Sequence, residues 1–124
     1  MGCSADAKIL RANMESAGRI TPSFKNSAHH IILSNSRDVR MRWLRRKMNR
    51  LGIDINDAEN GIFLPTSNKI KLASETIMPA HSKIHTEVYK QEIFDRLKNV
   101  TTKGTFIDAL EDIYIEISRN AFPF

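Results

Sequence analysis

The four histidines of this 124-residue chain come as two pairs, His29–His30 in "AHHIIL" and His81–His85 in "HSKIH". No other feature restricts the fold as much. "HHIIL" reads as a short strand, and adjacent side chains of a strand point to opposite faces, so the two rings cannot do the same work. His81 and His85 are spaced i, i+4, which stacks both rings on one helical face and offers two imidazoles to one metal ion. Ile84 and Val88 flank them, so this face is expected to border the core. With the helix brought to the strand, His29 can complete three-imidazole coordination while His30, on the strand's other side, stays free as a base. An unperturbed imidazole, pKa about 6.5, suits proton abstraction from water. The plain alternative makes His81 and His85 two polar surface residues. Ser82 stands where a zincin carries glutamate, which excludes a metalloprotease of that type.

The remaining segments supply mostly helix. "DAKILRANMESAG" predicts a first helix closed by Gly18, and "RITPSFKNS" a loop interrupted by Pro22. Ser36 reads as the N-cap of "RDVRMRWLRRKMNRLG", a helix ended by Gly52 whose Met41, Leu44, Met48 and Leu51 form one apolar stripe. "IDINDAEN" is a polar turn leading into a second strand, "IFLP", which can pair with "HHIIL" as a two-stranded ribbon. Thr66 to Pro79 reads as an extended loop. "AHSKIHTEVYKQEIFDRLKNV" follows as one helix, and a last helix over about 105–120 carries the stripe Phe106, Leu110, Ile113, Ile117. The expected class is α+β, mostly helical, in a single domain spanning 1–124.

Charge is unevenly spread. Residues 1–50 hold eleven Lys and Arg against three acids, whereas 51–124 hold eight against eleven. Such asymmetry points the first half at a polyanion, nucleic acid before membrane. "RDVRMRWLRRKMNR" alone has seven bases, and Arg42, Arg46 and Arg50 follow i, i+4, i+8 away from the apolar stripe. They are candidate phosphate contacts, against the alternative of a solvated face. Trp43 lies on the basic side, to stack on a base or to pack under another helix. The acids Asp108, Glu111, Asp112 and Glu116 read as the last helix's solvated face. No apolar run is long enough to span a membrane, and a lone Cys3 excludes an internal disulfide. "MGCSAD" starts like an acylation signal, but Asp6 replaces the required Ser or Thr.

The order His-His, then Asn60-Gly61-Ile62-Phe63-Leu64-Pro65, then His81-Ser82-Lys83-Ile84-His85 resembles the HNH/endonuclease VII (His-Me finger) nuclease superfamily. It resembles most its AHH branch, whose motif stands here as Ala28-His29-His30. The segment Gly52-Ile53-Asp54-Ile55-Asn56-Asp57 adds support, and the motif core covers about 28–98. The resemblance implies a ββα-metal site holding one divalent ion (Mg, Mn, Ni or Zn). In it His29, His81 and His85 are ligands, His30 is the general base, and Asn60 orients His30, with Asn56 close by as the competing candidate. From the residues alone, Asn60 with Gly61 reads first as an ordinary turn. The resemblance further implies a DNA endonuclease leaving 5′-phosphate and 3′-hydroxyl ends. It also implies a bacterial toxin module, secreted or injected to act in the target-cell cytoplasm and paired with an immunity protein. Two other readings compete: an RNase on the same scaffold, and a non-catalytic nucleic-acid-binding module with a structural zinc, which would need a fourth protein ligand.

Overall fold

Asn26–His30 (β1) and Gly61–Pro65 (β2) pair antiparallel, with His29 opposite Ile62 and His30 opposite Gly61. The computed structural model describes residues 3–124, with side chains from Ala5 onward; the acylation-like start at Met1–Gly2 and the Cys3 thiol lie outside them. The ribbon is as expected, but β1 ends at His30 instead of running to Leu33. Beyond the His30–Gly61 pair the opposing chain is a 3₁₀ turn, Ala58–Asn60, which offers no ladder. Asn60 replaces it: its carbonyl accepts from Ile31 N–H at 2.8 Å, its Oδ1 from Ile32 N–H at 2.8 Å, and its Nδ2 donates to the Ile32 carbonyl at 3.1 Å.

Helices cover the ribbon on both faces. Cys3–Ser16 (α1) closes at Gly18, whose φ of +85° only glycine adopts without strain. It lays Leu10 and Met14 against Ala28 and Phe63. The other face of the ribbon, with Ile62 and Leu64, joins the main core together with Ile31, which follows β1. Val39–Arg50 (α2) contributes Met41, Leu44 and Met48 to that core as their spacing predicts, with Leu51 at its edge. The N-cap is Asp38, not Ser36. Its carboxylate accepts from Arg40 N–H at 2.9 Å, while Ser36 accepts from Asp38 N–H one step earlier. At the far end of α2, buried Lys47 donates to the carbonyls of Leu97 and Lys98.

Two expectations change in the second half. The segment 66–79 is not an extended loop throughout: Ser67 caps a helix over Asn68–Ser74 (α3) by accepting from Ile70 N–H at 3.3 Å. The long helix after Pro79 is broken. His81–Ile84 (α4) ends at His85, whose ψ of 60° leaves the helical region, and Glu87–Leu97 (α5) restarts after Thr86. The Thr86 hydroxyl accepts from Tyr89 N–H at 3.1 Å, an N-cap that favours a fresh start over continuation. Lys103–Ser118 (α6) buries Phe106, Leu110, Ile113 and Ile117 completely. Its acids Asp108, Glu111 and Asp112 are exposed, but Glu116 holds Arg96 of α5 at 2.8 Å. The whole is α+β and mostly helical. Among the described residues no helix is long and apolar enough to cross a membrane.

Candidate metal centre and its cleft

The adjacent histidines split as strand geometry requires. His29 is fully buried and turned toward the main core, where α4 and the start of α5 bring His81, His85 and Tyr89 to it. His81 and His85 converge although they do not share one helix, because His85 is the residue on which α4 stops. Of their flanking residues, Ile84 is in the core but Val88 is 55% exposed, so only one side of the pair borders the interior. Nitrogen–metal bonds of about 2.0–2.1 Å place neighbouring ligand atoms roughly 3.0–3.4 Å apart. Nδ1 of His29 lies 3.0 Å from Nδ1 of His81 and 3.3 Å from Nε2 of His85. One nitrogen from each ring falls within 4.8 Å of the others. The three residues fit a single divalent ion, and no fourth His, Cys, Asp or Glu joins them among the described residues. Three protein ligands are the number found in catalytic zinc sites, which keep a position open, whereas structural zinc sites use four.

Electrostatics favour neutral rings ready to ligate. Burial lowers the pKa of His29 well below its ordinary value, and the neighbouring His81, His85 and His30 lower it further. His81 is held down to about 4 by burial, then by His85 and His30. Burial, then Lys90, lowers His85.

His30 faces the opposite way, toward α1. Its Nε2 lies 2.8 Å from Asn56 Oδ1, and Asn56 Nδ2 donates to Asp6 of α1 at 3.2 Å. The carboxylate can only accept, so it fixes which way the Asn56 amide points; Oδ1 then faces His30, Nε2 carries the proton, and Nδ1 keeps the lone pair. Asn56 is clamped further. Its N–H donates to Asp54 at 2.8 Å and its carbonyl accepts from Asn13 of α1 at 2.8 Å. Burial lowers the His30 pKa, opposed by the Asn56 hydrogen bond and by Asp6. Asn60, the residue expected to orient His30, does not reach it. Its amide is bound to the backbone of Ile32 and, through Nδ2, to the Ile55 carbonyl at 3.0 Å. The partner of His30 is Asn56.

His30, His81 and His85 line one cleft of about 620 Å³, with Lys8 and Arg11 of α1 on one wall and Lys90 of α5 on the other. None of its lining residues is a carboxylate. Arg42, Arg46 and Arg50 are exposed but lie outside it. Arg42 and Arg46 instead border a separate hollow with Val39 and Trp43, whose indole packs edge-on against Phe94 with ring centres 5.4 Å apart.

Sequence reasoning missed Tyr89, Asp6, Lys8, Arg11 and Lys90. Tyr89 had a signal, since it follows His81 and His85 at a further i+4. Its hydroxyl stands 2.9 Å from Nε2 of His29 and donates to the Ile31 carbonyl at 2.6 Å. The others owe their place to tertiary packing. Among known proteins, the AHH family, described as a nuclease family of the HNH/ENDO VII superfamily with conserved AHH, matches residues 10–117. No curated protein and no solved structure matches the chain.

Proposed function

The chain belongs to the AHH nuclease family of the HNH/endonuclease VII superfamily, and on that premise we propose that it is a metal-dependent endonuclease hydrolysing DNA phosphodiester bonds. The observation that carries this reading is the convergence of His29, His81 and His85 on one point, beside a cleft lined by His81, His85 and His30, whose Nδ1 keeps its lone pair.

His30, held by Asn56 in the tautomer that can accept a proton, takes one from water, which attacks phosphorus in line. The P–O3′ bond breaks as it does so, and the departing 3′ oxygen takes a proton from solvent. His29, His81 and His85 would hold a divalent ion, which when bound would supply positive charge to offset negative charge building on the phosphate. Lys8, Arg11 and Lys90 seat the phosphates beside the cut, while Arg42, Arg46 and Arg50 extend the positive surface to phosphates farther along a duplex. The products carry 5′-phosphate and 3′-hydroxyl ends. The family resemblance further supports a toxin module, exported by a bacterial producer into the cytoplasm of a target cell and restrained by an immunity protein.

Plasmid DNA and a folded RNA, each incubated with the protein with and without chelator, test the reading. Plasmid nicking abolished by chelator is the expected result. Cleavage of RNA alone would replace DNA as the substrate, and full activity after exhaustive chelation would remove the metal.

A further inference from the structure

We propose that Tyr89 is a positioning residue that sets the tautomer of His29 and thereby keeps the ligand nitrogen of that ring open; this rests on the metal-dependent reading above. Tyr89 and His29 are both completely buried, so no water competes for their polar atoms. The Tyr89 hydroxyl has one proton and two neighbours, Nε2 of His29 at 2.9 Å and the Ile31 carbonyl at 2.6 Å. A carbonyl only accepts, so the proton goes to Ile31 and the hydroxyl presents a lone pair to the ring. Nε2 must then carry the N–H, and Nδ1 carries the lone pair. Nδ1 is the atom that faces His81 and His85. The acceptor belongs to the same chain segment as the ring, two residues beyond it, so ring and hydroxyl are referenced to one piece of backbone.

The consequence of losing the hydroxyl follows from the same atoms. In Tyr89→Phe, an Nε2–H would be buried without an acceptor, whereas an Nδ1–H would find Nδ1 of His81 or Nε2 of His85. The ring is therefore expected to change tautomer and block its own ligand atom. A residue needed only for packing would lower stability and leave both the tautomer and the metal affinity of the folded protein unchanged.

Long-range ¹H–¹⁵N spectra of the metal-free protein read the tautomer directly, and calorimetric titration with zinc ion alone reads the affinity. The expected results are a His29 protonated on Nε2 in the unmodified chain, an Nδ1-protonated ring in Tyr89→Phe, and zinc affinity lowered about 10–100-fold in that variant. A His29 protonated on Nδ1 in the unmodified chain overturns the proposal without need of any variant, as does unchanged zinc affinity in folded Tyr89→Phe. The two readings fail separately: zinc bound by the unmodified chain and equally by Tyr89→Phe removes only the role of Tyr89. An unmodified chain that binds no zinc and cleaves DNA after chelation removes the metal reading and this one with it.

Discussion

Nε2 of His30 donates to Oδ1 of Asn56 over 2.8 Å, while the neighbouring Asn60 gives its whole amide to backbone groups of Ile32 and Ile55. Two asparagines of one turn thus have separable duties, and substitution should separate them. Asn56→Ala is expected to cut cleavage by roughly 10²-fold, the lower range for a general-base contribution, in a protein that still folds. Asn60→Ala leaves buried backbone groups unpaired at about 1–3 kcal/mol each, so it should chiefly destabilise. Urea titration alongside single-turnover cleavage distinguishes them. Equal losses of stability with equal activity in the folded fraction would contradict the division.

The histidines should also part by role. His30→Ala is expected to bind metal as the unmodified chain does and to lose nearly all cleavage. His81→Ala and His85→Ala should lose metal affinity along with activity, because each removes one of three converging nitrogens. Calorimetry decides, and a His30 variant that fails to bind metal while a His81 variant binds normally would reverse the assignment.

Cations in the cleft and cations on α2 should respond differently to substrate length. Lys8→Ala and Lys90→Ala are expected to weaken binding even of a short duplex that spans only the cleft. Arg42→Ala, Arg46→Ala and Arg50→Ala should matter only on a longer one. In a His30→Ala background, removing one phosphate-binding cation should lower the slope of log affinity against log salt by about one unit. An unchanged slope for all of these variants would place the DNA on another surface.

Low pH should loosen the start of α2. Arg40 beside Asp38 holds its carboxyl down to about 2. A folded-state pKa below the unfolded one means the contribution is complete above the ordinary carboxylate range, about 3.9, and disappears as pH falls from there toward 2. Asp38→Ala, which also removes the cap, should cost about 1 kcal/mol at neutral pH. The difference from the unmodified chain should shrink as pH falls through that window. Denaturation midpoints measured at neutral pH and at two points down the acid limb show it; a difference that grows on acidification would refute the sign.

Gly61 offers a test of how α1 is seated. A Cβ there would lie 2.5 Å from Met14 Sδ and 2.8 Å from Leu10 Cδ1. Gly61→Ala should therefore push α1 outward, costing about 1–3 kcal/mol of stability. It should also reduce cleavage, because α1 carries Asp6 and Asn13, which hold Asn56. Met14→Ala in the same chain makes room and should restore part of both losses.

Local patterns in the chain were readable where the physics is local. The stripes Met41–Leu44–Met48 and Phe106–Leu110–Ile113–Ile117 bury as their helical spacing requires. Strand alternation alone assigned His29 and His30 to opposite faces. What was not readable depends on competition or on distance. Thr86 reads as a tolerable helix residue until its hydroxyl captures Tyr89 N–H, and Ser67 likewise starts a helix inside an apparent loop. The choice of Asn56 over Asn60 rests on Asp6 and Asn13, which approach from a helix far upstream and leave no mark near the turn. The basic run of α2 was conspicuous for its density, yet the cleft draws its cations from α1 and α5, where they are scattered among other residues.

The contacts that support His29 and orient His30 reach across most of the chain. His29 meets Tyr89 across 60 residues and Asn56 meets Asp6 across 50. Loops of that length close late, after local helices and the short-range contacts within each half have formed. Asp6 and Tyr89, far apart in the chain, are thus both needed: one helps hold the asparagine that orients His30, the other supports His29. On the proposed reading, the oriented base and the supported ligand form only once contacts far apart in sequence have closed, so the site belongs to the assembled fold and to no single segment of it.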